Sequence, residues 1–212
     1  MVSCSCIVIL SNMVFKIDIK GLNPDTPPPP SKSSTLVEEV RKLAQRHGLT
    51  WVTRAVGEIG VKEEPNRCCK RISEYADAIP DEGPRTHMKS GNQAWCACFV
   101  YWCLSDVSGP KPSGWDIVRA KEYMSCFEKS GILFGSIAVK KGGKNHHVTI
   151  VVGVSPDRKI IYGLGGNQND EVNITGYEAS QILGYRFPVG YPQIPPITVQ
   201  NQGSIPSGGS TR

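Results

Sequence analysis

The chain has 212 residues, with 24 Lys and Arg against 19 Asp and Glu, a formal net charge of +5. So mild an excess gives no argument for nucleic acid as a partner, and 39% hydrophobic with 20% charged residues excludes a disordered polyelectrolyte. The eight cysteines fall well below the roughly 8–10% that marks a disulfide scaffold, and no apolar run reaches the roughly 18–20 residues of a membrane span.

At the start, the apolar run Ile7–Leu10 has no basic residue ahead of it and is interrupted upstream by Ser and Cys, which makes a poor signal peptide. A soluble chain made in the cytoplasm is the expectation. Pro27–Pro30 followed by Ser31, Ser33 and Ser34 reads as a semi-rigid spacer. Residues 1–33 are therefore an extension, 34–188 a single domain, and 189–212, with Pro192, Pro195, Pro196 and Pro206, a flexible tail.

Within the domain, Leu36, Val40, Leu43 and Ala44 recur at helical spacing after Ser33 and Ser34, and Gly48 ends that helix. Thr50 caps a second over Trp51–Ile59. A third runs from Asn66 through Cys69, Ile72, Tyr75 and Ala76 and stops before Pro80; Trp95–Val107 and Ile117–Lys129 follow. From Gly131 the period shortens, predicting strands at Ile132–Val139, His147–Val154, Lys159–Leu164, Val172–Thr175 and Ile182–Phe187. Helices first and antiparallel strands second make an α+β fold, helices packed on a sheet.

Cys96 falls in the first turn of an apolar helix. Unpaired N–H groups and the positive end of the helix dipole stabilise a thiolate there, and the thiolate is the nucleophilic form. Cys98, Cys103 and Cys126 read as packing residues, and Cys68 and Cys69 as core or a redox-labile pair. The Cys96-x-Cys98 pair has no second pair of ligands to join it, so neither metal nor other cofactor is expected. Of four histidines, His47 sits at a helix C-terminus and His87 in a polar loop, leaving His146 and His147 at the head of a strand. The alternation leaves both open; small residues on the face with Thr149 and Gly153 favour His147 as the one facing the Cys96 helix. Asn167 or Gln168, after the next strand, could hold the second ring nitrogen of that base.

Taken in order, Trp95-Cys96-Ala97-x-Phe99-Val100, His147-Val148, Gly165-Gly166-Asn167-Gln168 and Gly184-Tyr185-Arg186-x-Pro188 resemble a CHAP-like, NlpC/P60-related group of bacterial and phage cysteine peptidoglycan hydrolases with a papain-like core. Upstream, Ala55-x-x-Glu58-x-Gly60-Val61-x-Glu63 and Asn66-x-x-x-x-Arg71-Ile72-x-x-Tyr75 are similar to that family's leading segment, so the resemblance covers about Trp51 to Pro188. It implies Cys96 as nucleophile, His147 as base and Asn167 as the residue orienting it, with Trp95 and Gln168 toward the substrate. The implied reaction is hydrolysis of an amide in cell-wall peptide by a monomer acting in the periplasm or on the wall. The enzyme would be a phage lysin or an injected antibacterial toxin, the latter needing an immunity protein as partner. Two departures from the family pattern are Ser136, where Asp is common, and Cys98, where Ala is usual. A silent wall- or partner-binding module and a cysteine protease acting on other amides are the alternative readings.

Overall fold

A computed structural model describes residues 7–10, 13–16, 32–63, 70–91, 93–142 and 145–200. The readings at Pro27–Pro30, Asn66, Cys68 and Cys69, and at residues 201–212, lie outside the described residues. The chain divides into two units, Met1–Ser31 and Lys32–Arg212. In the first, β1 (Ile7–Leu10) pairs antiparallel with β2 (Met13–Lys16).

The second unit opens with α1 (Lys32–Arg46), α2 (Thr50–Gly57), α3 (Lys70–Tyr75), α4 (Glu82–Lys89) and α5 (Cys96–Cys103). A sheet follows: β3 (Glu128–Ser130), β4 (Ile137–Lys140), β5 (His147–Val154), β6 (Ile160–Gly165), β7 (Asn173–Glu178), β8 (Ile182–Phe187) and β9 (Ile197–Thr198). The strand order is β3-β8-β4-β5-β6-β7, all antiparallel, with β9 parallel to β5. Mixed helix and antiparallel sheet is thus the architecture. None of the described helices is long and apolar enough to cross a membrane.

Gly48 turns α1 into α2 at φ +65°, a conformation nearly closed to residues with a Cβ. Thr50 is the first residue of α2 and not its cap; Leu49 precedes it, and the Leu49 carbonyl accepts from Val52 and Thr53. Arg71 ties α3 to the end of α2 through a two-pronged pair with Glu58, Nε to Oε2 at 2.7 Å and Nη2 to Oε1 at 2.6 Å. Tyr75 adds an O–H donor to the same carboxylate. Burial pushes Glu58 up, but these donors outweigh it and hold the carboxyl below its ordinary value. The Arg71 guanidinium also lies over the rings of Tyr75 and Trp102, which anchors α3 onto α5.

The expected helix over Ile117–Lys129 is instead two 3-10 segments, Gly114–Val118 and Ala120–Ser125, and then β3. Extended backbone at Arg119 separates them. The Tyr123 hydroxyl donates to Ala97 O at 2.7 Å and Ile117 O at 3.1 Å, and this tertiary anchor on α5 prevails over local helical spacing. Conversely, the polar loop expected around His87 is α4, whose only buried residues are Pro84 and Met88. Proline is tolerated in its first turn, where N–H groups have no intrahelical partner.

The expected tail is also revised for residues 191–199. Tyr191 meets Trp51 edge-on at 4.8 Å, Phe134 N–H donates to Ile194 O, and Val199 N–H to Val154 O. Val148, Ile150 and Val152 on one side of β5 join Phe99 and Val100 in the main core. Val151 and Val154 join Ala138, Ile161 and Tyr177 in a second cluster.

Candidate active site

Cys96 is the first residue of α5 and is 3% exposed. Its sulfur meets the backbone N–H of Val148 on β5, together with those of Ala97 and Cys96 itself. Burial pushes the thiol up and the three N–H groups oppose it, with burial prevailing. The thiol end of α5 borders a cavity of about 530 Å³ whose other walls include His87, Gln93, Arg119, Lys121 and His146.

His147 is the first residue of β5 and is 1% exposed, so it immediately precedes the residue whose N–H meets the thiol. Its Nε2 lies 3.1 Å from Gln168 Oε1. That oxygen also accepts from Thr149 Oγ1 at 3.1 Å and Tyr177 OH at 2.9 Å. The amide nitrogen of Gln168 donates to Gly163 O at 3.2 Å, Asn173 O at 2.7 Å and Asn173 Oδ1 at 2.9 Å. Carbonyls accept and amide N–H donates, so this set fixes which way the amide points. Nε2 is therefore the protonated nitrogen, and the lone pair is on Nδ1. Nδ1 is buried with no hydrogen-bond partner. Burial pushes the ring down to about 4, so at neutral pH both thiol and imidazole are uncharged, with no hydrogen bond between them.

Two glycines make room for this arrangement. A Cβ on Gly163 would meet Thr149 Oγ1 at 2.5 Å, and one on Gly165 would meet Gln168 Oε1 and Thr149 Oγ1, each at 2.8 Å. The small residues on the His147 side of β5 thus receive the Gln168 amide, while Val148, Ile150 and Val152 share the main core with α5.

Asn167, expected beside the imidazole, is buried at φ +59° with neither side-chain atom hydrogen-bonded; Gln168 holds the ring. Gln168 is 2% exposed and its amide is bonded internally, so it offers nothing to a substrate. Trp95 does not line the groove either. It is 2% exposed, its indole N–H donates to Glu63 Oε2 at 3.0 Å, and the ring lies so close to Gly166 that a Cβ there would come within 2.4 Å. His87, read as a loop residue, is on the cavity wall with His146; its helix has only Pro84 and Met88 buried, too few to give a periodic signal. Among the described residues no group of three or more His, Cys, Asp or Glu is placed to hold a metal ion. Comparisons with family models, with curated proteins and with solved structures return no significant match.

Proposed function

We propose that the chain is a cysteine hydrolase with a papain-like arrangement, cleaving an amide bond of cell-wall peptide as a lytic enzyme or antibacterial toxin. The observation that carries this reading is the imidazole of His147: clamped at Nε2 by a fixed amide, bare at Nδ1, and one residue from the backbone N–H that meets the Cys96 sulfur. A purely structural histidine would be expected to satisfy both nitrogens.

In the proposed reaction Nδ1 of His147 takes the thiol proton and the Cys96 thiolate attacks the amide carbon. The C–N bond breaks as His147 returns the proton to the leaving amine, giving an acyl thioester. Water, deprotonated by Nδ1, attacks the thioester; the acid leaves and the thiol is restored. The N–H groups at the start of α5 would bear the charge on the oxyanion. Burial disfavours thiolate and imidazolium separately, but proton transfer creates them together, and each then stabilises the other.

Cys96→Ala should abolish release of muropeptides from purified sacculi with an unchanged circular dichroism spectrum. His147→Ala should inactivate likewise and His146→Ala should not; full activity in either Cys96→Ala or His147→Ala ends the reading. Mass spectrometry of the new amine and carboxyl ends would identify the bond. The second reading, a silent wall-binding module, draws on the burial of both Cys96 and His147, 3% and 1% exposed. It predicts saturable binding to purified sacculi, equal in the unaltered chain and in Cys96→Ala, with no muropeptide released by either.

A further inference from the structure

We propose that Trp115, with His87, forms a subsite for a pyranose ring of the glycan strand beside the Cys96 cleft. The proposal rests on the wall-hydrolase reading and extends it from the peptide to the sugar.

Trp115 is 49% exposed, while Trp51 and Trp95 are at most 2% exposed. The ring is held in place. Gly114 before it adopts φ +56° and its N–H donates to Asp81 Oδ2 at 3.1 Å, so the turn that presents the indole is tied to the start of α4. One edge of the indole lies against Gly83, where a Cβ would meet Cζ2 at 3.4 Å. The ring meets His87 edge-on, centroids 5.5 Å apart at 63°. His87 lines the same cavity as Cys96, so the aromatic surface continues into the cleft.

The surroundings select the ligand. An apolar peptide side chain would seek an enclosed pocket, whereas this ring is open, packed edge-on by the His87 imidazole and on a turn tied to the Asp81 carboxylate. A flat apolar face bordered by hydrogen-bonding groups matches a sugar ring, which has an apolar C–H face and a rim of hydroxyls. Because the indole is already fixed, binding orders little of the protein.

The test titrates the full chain with chitotetraose, an N-acetylglucosamine tetramer, by ligand-observed NMR. Saturable binding with a dissociation constant of about 1 mM or tighter is expected. Trp115→Ala should weaken it about tenfold or more and Trp115→Phe should retain most of it, both with an unchanged circular dichroism spectrum. No saturable binding, or equal binding by Trp115→Ala, overturns the subsite. Sacculus hydrolysis measured alongside reads the hydrolase alone: cleavage without sugar binding removes the subsite and leaves the enzyme, and sugar binding without cleavage does the reverse.

Discussion

The buried imidazole of His147 has an ordinary value of 6.5 and is pushed down to about 4, so the folded state resists a proton that the unfolded chain accepts. Its contribution to stability is complete above about 6.5 and is lost as pH falls toward 4. Urea midpoints should therefore drop between pH 6.5 and 4.5, by about 2 kcal/mol in unfolding free energy, and His147→Asn should flatten that interval. An unchanged slope in the variant would show that other groups titrate there. At the same scale, Gln168→Ala should lower kcat about 100-fold with little change in KM, as for loss of a residue that orients another. Asn167→Gly should stay active, since it removes two unpaired polar atoms and suits φ +59°. The positions of Cys96 in the first turn of α5 and of His147 at the head of β5 were legible because each opens a regular element. The choice between Asn167 and Gln168 was not. It depends on which of two adjacent side chains turns into the space left by Gly163 and Gly165, and a left-handed residue at 167 decides that direction without a periodic signal.

Between elements, the register of α5 on the sheet is set where Gly166 lies under Trp95 and Phe99. A Cβ at Gly166 would stand 2.4 Å from the Trp95 ring and 2.8 Å from Phe99 Cβ, so Gly166→Ala must separate the start of α5 from the loop that carries Gln168. Stability should fall by about 1–3 kcal/mol and sacculus cleavage by more than that loss alone explains, because Cys96 and Gln168 belong to the two sides being pushed apart. Gly57→Ala is the contrasting case: nothing lies within 4 Å of the added carbon, and stability should hold or rise slightly. Thermal melts and initial rates on the two variants check both. Long periodic elements were readable, β5 and β8 to the residue. Segments governed by one distant anchor were not: the 3-10 run follows the Tyr123 hydroxyl on Ala97 O, and α4 offers only Pro84 and Met88 as buried positions, too few to define a period.

Across the whole second unit, the stretch after Pro188 reads as linker by composition yet closes the core on the side of Trp51. Its prolines suit an extended path, and its contribution comes from four apolar contacts, Tyr191, Ile194, Ile197 and Val199, spaced too irregularly to form a pattern. Ile197 pairs with Gly153, at the opposite end of β5 from His147. Six residue steps of strand at about 3.3 Å each separate that pairing from His147 by about 20 Å. Ile197→Ala should therefore cost about 2–4 kcal/mol of stability through the cavity it leaves, while kcat measured well below the melting temperature stays within about twofold. A chain ended after Pro188 loses the Trp51–Tyr191 contact and both backbone bonds to Phe134 and Val154 as well, and should unfold at markedly lower urea. If Ile197→Ala instead lowered kcat as far as Gln168→Ala does, the two ends of β5 would be coupled, and the site would depend on the rigidity of the whole strand and not on the local clamp around Gln168.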